Sequence, residues 1–144
     1  MKTDFGALVD GYHADMTRTV AFGDPDPRLR AVRDAVAAAQ AAGIAAMRPG
    51  ATLEDVDRAA RSVIADAGFG SIQHGIGHGV GLDIHEDPFL RAEAGETLPE
   101  GAVVTMEPGV YIPGLGGVRI EDMVLVTAGG GREIPRSSKE FLLP

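Results

Sequence analysis

A glycine-spaced run of histidines, H-G-I-G-H-G-V-G-L-D-I-H-E from His74 to Glu86, stands midway along the chain, with acidic motifs before and after it. It contributes His74, His78 and His85. Glu107 follows in M-E-P-G and Glu121 in G-V-R-I-E-D, while Asp4 and Asp15 lie near the N-terminus. One imidazole and four such carboxylates make a full ligand set for two divalent cations, which points to metal-assisted hydrolysis. A fold that uses this set must carry distant parts of the chain into one pocket.

The pattern between these motifs suggests how. Asp4 to Val20 reads as a hairpin, with Asp10-Gly11 as the turn signal, so that Asp4 and Asp15 sit on its two arms. Gly23-Asp-Pro-Asp-Pro27 reads as a loop in which Asp24 or Asp26 caps a helix over Arg28–Met47. The apolar face of that helix is Leu29, Val32, Val36, Ala39, Gly43 and Met47. Thr52-Leu-Glu-Asp55 resembles a capping box and opens a second helix to about Ala67, with the stripe Leu53, Val56, Ala60, Val63 and Ile64. Phe69 to Glu86 is expected to be partly extended, and Glu93 to Glu100 to be a surface turn. Strands are predicted over Ala102–Glu107, Val110–Ile112, Val118–Thr127 and Arg132–Pro135, with Glu107 and Glu121 on the arms of a second hairpin-like unit. Two helices followed by strands, without regular strand–helix alternation, indicate an α+β fold.

Composition narrows the classes. A chain of 144 residues with 44% apolar content supports a single domain over residues 1–144 with one substantial core. It holds no apolar run long enough for a membrane-spanning helix, and M-K-T-D-F-G lacks the apolar core of a signal peptide. The net charge of −8, with no basic stripe, weighs against a nucleic-acid partner. The absence of cysteine excludes disulfides and thiolate ligands and fits a cytoplasmic protein.

Each candidate ligand has a plain reading when taken alone. Asp4 and Asp15 could be turn or surface carboxylates, and histidines beside glycine turns often serve only as hydrogen-bonding groups. Glu107 and Glu121 are less ordinary, because each interrupts apolar sequence and would need a partner if buried. Carboxylate and neutral imidazole together suit Mn²⁺, Co²⁺, Zn²⁺ or Fe²⁺.

In combination the motifs carry a family resemblance. D-F-G-A at Asp4–Ala7, G-Y-H-A-D-M-T-R-T at Gly11–Thr19, the His74–Glu86 run, M-E-P-G at Met106–Gly109 and G-V-R-I-E-D-M-V-L-V-T at Gly117–Thr127 span nearly the whole chain. The chain resembles the catalytic domain of peptidase family M24, the pita-bread metallopeptidases, and within it the Xaa-Pro branch of aminopeptidase P and prolidase. The resemblance implies Asp4, Asp15, His78, Glu107 and Glu121 as metal ligands, with Asp15 and Glu121 bridging two ions, most simply Mn²⁺, otherwise Co²⁺ or Zn²⁺. Glu107 would also handle the proton of the attacking water. His85 would hydrogen-bond the substrate around the scissile peptide, His74 would line the site, and Arg119 would orient Glu121 or the substrate. Small peptides with proline in second position are the implied substrates.

One departure is expected to matter. Family catalytic domains carry further chain upstream of the Asp4 motif, so this chain reads as truncated on its N-terminal side. Apolar surface and an unpaired strand edge are expected there, covered by a homodimer or a complementing chain. A metal-binding or partner-binding fragment without catalysis is therefore the second functional expectation.

Overall fold

A computed structural model describes residues 1–91 and 95–143. The order is β1 (Lys2–Val9), β2 (Tyr12–Thr19), β3 (Ala21–Phe22), α1 (Pro27–Ala46), α2 (Leu53–Asp66), β4 (Val103–Met106), β5 (Gly109–Ile112), β6 (Gly116–Arg119), β7 (Asp122–Thr127), β8 (Gly130–Glu133) and β9 (Leu142–Leu143). The class is α+β, as the pattern predicts.

β1 and β2 form the expected antiparallel hairpin around Asp10-Gly11, where both residues take positive φ, of 50° and 85°. Asp-Gly is the pair that tolerates this backbone in a two-residue turn. Asp4 faces Thr17 across the hairpin and Asp15 faces Gly6. Opposed residues share a face, and alternate residues on one strand share it too. Asp4, Asp15 and Thr17 therefore project from one side.

Asp26 caps α1, its carboxylate accepting from Arg28 N at 2.8 Å, and Pro27 occupies the first turn. Thr52 caps α2 through Asp55 N at 3.1 Å. The two helices bury Val32, Val36, Ala39, Leu53, Val56, Ala60 and Ile64 in a single core with the strands. Gly43 allows the close approach: a Cβ there would lie 2.5 Å from the methyl of Met106, so α1 rests directly on β4.

The main sheet runs β4-β7-β8, and β5-β6 form a hairpin that projects from it. Two expectations need correction, and a third, the partly extended Phe69–Glu86 region, is met by isolated bridges at Gly79 and Glu86. The strand expected over 118–127 is two strands, broken at Ile120-Glu121, because the chain stops pairing with β5 there and begins pairing with β4. At the break Glu121 makes an isolated bridge to Thr17, which joins the first hairpin to the sheet. The Phe69–Glu86 region holds no strand. It follows the free edge of β4 through Thr105 N to His78 O and Val80 N to Val103 O, at 2.8 and 3.0 Å, with glycines where the backbones nearly touch. Finally, the stretch expected as a surface turn includes Glu93, which lies outside the described residues. Its Thr97 bridges Thr52 and its Leu98 is buried, so among the described residues the turn is confined to Glu100-Gly101. Among the described residues no helix is long and apolar enough to cross a membrane.

Candidate metal centre

The two hairpins and the glycine run meet at one open cleft of about 400 Å³, lined by Asp4, Asp15, His78, His85, Glu107, Arg119 and Glu121, with Phe5, Gly6 and Ile84. Ligand atoms of Asp4, Asp15 and Glu121 lie within 4.8 Å of one another. The same holds for His78, Glu107 and Glu121, and for Asp15, His78 and His85. Glu121 belongs to both carboxylate-rich groups. Its place at the break between β6 and β7 explains this, since the chain there is held against β2 on one side and passes from β5 to β4 on the other.

His78 is 7% exposed and its backbone is clamped on both sides by Thr105, through N–H to Oγ1 at 3.0 Å and O to N–H at 2.8 Å. Its Nδ1 is 3.0 Å from Gly79 O. A proton on Nδ1 is donated to that carbonyl, which leaves the Nε2 lone pair facing Glu107 Oε1 at 3.4 Å and Asp15 Oδ2 at 3.7 Å. That is the tautomer and aim of a metal-binding imidazole. The His85 ring meets His78 edge-on at 4.3 Å between centroids.

Electrostatics at the site favour cations. Burial pushes Glu107 up to about 7. Burial and then the Glu107 charge push Glu121 up to about 8. Asp15 is raised as well, chiefly by burial. Carboxylates withdrawn from water and set against one another hold protons in place of cations. The donor set, one imidazole nitrogen among carboxylate oxygens, fits hard to borderline divalent ions.

Two hydroxyls that the sequence reading did not single out complete the support. Thr17 Oγ1 donates to Glu121 Oε2 at 2.5 Å, and Thr105 Oγ1 donates to Glu107 Oε1 at 3.2 Å. Each stands two residues from a ligand, Thr17 after Asp15 and Thr105 before Glu107, so strand alternation was the signal available. Arg119 pairs with Asp4 and donates from Nε to Thr17 Oγ1 at 3.2 Å and from Nη1 to the Tyr111 hydroxyl at 3.3 Å. It thus touches one candidate ligand and the group that holds another. His74 stands apart from the cleft lining. It lies against Tyr111, its Nδ1 2.6 Å from Gly75 O and its buried Nε2 without a partner, and burial lowers its pKa.

Known proteins share this arrangement of sequence and fold. The chain is 44% identical over 140 residues to the Xaa-Pro dipeptidase of Pyrococcus furiosus, covering 96% of this chain and 40% of that protein. Its structure matches the Xaa-Pro dipeptidase from Bacillus anthracis with a TM-score of 0.95 at 43% identity, over 99% of this chain and 41% of the other. The methionine aminopeptidase of Rickettsia prowazekii matches at a TM-score of 0.80 and 25% identity, over 92% and 62%. This chain spans about 40% of the length of the curated relatives it matches. Its α+β fold is part of the pita-bread fold of those peptidases, nearer to the Xaa-Pro dipeptidase than to the methionine aminopeptidase. Residues 1–128 match the model of metallopeptidase family M24, and on that match the chain belongs to this family of metallopeptidases.

Proposed function

We propose that residues 1–144 form one catalytic unit that carries a dinuclear metal centre and cleaves the peptide bond preceding proline in Xaa-Pro peptides. The observation that carries this reading is the pair of ligand groups that share Glu121, Asp4/Asp15/Glu121 and His78/Glu107/Glu121. The names of the relatives supply the substrate class. Asp4, Asp15, His78, Glu107 and Glu121 would hold the two ions, of which Mn²⁺ is the first choice and Co²⁺ or Zn²⁺ the next. When bound, such a pair acidifies water near neutral pH and polarises a carbonyl.

The chain's own groups divide the remaining work. Glu107 takes the proton of the attacking water on its carboxylate, which lines the cleft beside His78 Nε2 at 3.4 Å. Thr105 holds the Oε1 of that carboxylate in place. His85, exposed at the cleft and fixed against His78, donates to the peptide that is cleaved. Arg119 keeps Asp4 and Thr17 in register, and His74 supports the wall beside Tyr111 rather than touching the reacting atoms. The cysteine-free sequence suits the cytoplasm as the place of work.

A second reading, cation binding without turnover, is favoured by one feature: β1 is exposed at every residue, and among the described residues it pairs only with β2. Hydrolysis of an Xaa-Pro dipeptide with Mn²⁺, Co²⁺ or Zn²⁺, alongside ion counting and solution mass, separates the two. Two ions with turnover support the peptidase. Two ions without turnover leave the binding role, and a doubled mass shows a homodimer. No ion uptake removes both readings.

A further inference from the structure

Behind the cleft, on the other face of the sheet, lies a charged cluster that the chemistry above does not use. Asp122 is fully buried. Its Oδ1 accepts from Arg18 Nη2 at 2.5 Å, and its Oδ2 accepts from Lys139 Nζ at 2.9 Å and Gln40 Nε2 at 3.0 Å. Arg18 follows Thr17 on β2 and therefore points away from the ligands. All five of its N–H donors are engaged. Nε reaches Ser138 O, Nη1 reaches Thr17 O and Glu121 O, and Nη2 reaches Asp122 and Ser137 O, over 2.5 to 3.3 Å. The three donors of Lys139 are shared among Asp122, Gln40 Oε1 and Glu133.

The carbonyls that this cluster holds are not arbitrary ones. Glu121 O belongs to the ligand common to both ion groups, and Thr17 carries the hydroxyl that grips the Glu121 carboxylate. Gln40 also donates to Met106 O at 3.2 Å, the residue before Glu107. The regular ladder is broken at Ile120-Glu121, so the main chain there lacks the two-sided pairing of a strand interior. A buried carbonyl in such a break needs another donor. Arg18 provides it in a planar fork that lysine cannot copy.

We propose that Arg18, Asp122 and Lys139 form a positioning hub that presents Glu121 to both cations and ties the affinity for the second one to the segment 137–139. The hub is charge-balanced, with two cations set against Asp122 and Glu133, so its contribution is one of geometry. The inference rests on the reading that the five ligands hold two ions. It goes beyond that reading by making residues with no access to the cleft determine how the pair binds.

Titration of the 144-residue chain with Mn²⁺ tests it, with paramagnetic resonance to detect magnetic coupling between neighbouring ions. Arg18→Lys keeps the charge and forfeits the fork. It should weaken both ions through Glu121, the second by about tenfold and the first by less, and lose the coupled signal in favour of isolated Mn²⁺. Lys139→Met, at a half-exposed side chain, covers the case in which Arg18→Lys does not fold, and should shift the second affinity in the same direction by a smaller factor. Ile64→Val, in the core of α2 away from the cleft, serves as a control for loss of stability alone. Unchanged second-ion affinity and coupling in a folded Arg18→Lys or Lys139→Met chain would overturn the hub. So would an equal loss in the Ile64→Val control at a matched drop in melting temperature. A parent chain that takes up fewer than two ions overturns the underlying reading, and the hub with it.

Discussion

The cleft has two unlike walls. Glu121, His78 and Glu107 stand on a framework of β4, β7 and the glycine run that is continuous with the core, and Glu121 is only 2% exposed. Asp4 stands on β1, which is exposed along its length, and its side chain is 42% exposed. Phe5, Leu8, Val9 and Tyr12 on the same hairpin are open as well. Close packing fixes side chains on the first wall, whereas the second depends on the Arg119 pairing, the Thr17 bridge and the hairpin ladder. The ligand group of His78 and Glu107 is therefore preorganised, and the group of Asp4 and Asp15 is not. Two ions should bind stepwise, the first on the framework side.

Glu121→Gln should have the largest effect, because it removes the carboxylate common to both groups. Affinity for both ions should fall by a hundredfold or so, the upper end for disturbed metal sites, and calorimetric titration reads it directly. Loss of one ion with the other intact would mean that the walls work separately. Glu107→Gln differs in kind: turnover should vanish while part of the ion uptake survives. Unchanged turnover would take Glu107 out of proton handling.

The hairpin offers a sharper cut. Gly6 faces Asp15 across the ladder, and a Cβ on it would lie 1.9 Å from Ala14 O, which is backbone and cannot give way alone. Gly6→Ala should splay the hairpin and cost the second ion tenfold or more, as overpacking distorts rather than merely weakens. The first ion should bind as before. Asp4→Asn should follow with a somewhat smaller loss, about tenfold for the second ion, and with little change in melting temperature because the side chain is half in water. Equal loss of both ions in either variant would show that the framework is not independent of the hairpin.

How far the sequence foretold this differs between the walls. The hairpin and its Asp10-Gly11 turn were legible, although its first strand begins at Lys2, two residues before the expected start, and its register was not given. Both helices were legible from their caps and apolar stripes, with Thr52 placed as expected and the first cap falling on Asp26 of the two aspartates considered. The framework was less so. Val118–Thr127 reads as one strand that Glu121 only interrupts, and the break there comes from a change of partner from β5 to β4, which no local pattern reports. The glycine run reads as turns, yet it serves as an irregular edge beside β4, where the lack of Cβ lets Gly77 and Gly79 lie against other backbone. The five candidate ligand positions were visible through family motifs, and the fold brings them to one cleft. The supporting groups Arg18, Asp122 and Lys139 were not, because Arg18 meets Asp122, and Lys139 meets Gln40, across about a hundred residues of chain.

The smallest expected effect concerns the framework carboxylates without cations. In the fold Glu107 titrates at about 7 and Glu121 at about 8, against 4.5 for an ordinary glutamate, and Asp15 moves the same way. The folded chain then binds more protons than the unfolded chain at pH values between, so stability falls as pH rises through that window. His74 has the opposite sign, since burial lowers its pKa from 6.5 and folding disfavours its charged form; its influence fades within about one pH unit above 6.5. The cleaner interval is about pH 7 to 8, where His74 is largely neutral in both states and the glutamates still titrate. In the presence of chelator the melting temperature should drop across it by on the order of 5 °C. With saturating Mn²⁺ the curve should sit higher by mass action, and its downward slope should disappear, because ions replace the protons. The slope is the diagnostic quantity, not the height. Asp4→Asn should leave that slope in place, since the groups that cause it belong to the buried wall, and a slope that vanished with Asp4 would place the strain of the site on the hairpin instead.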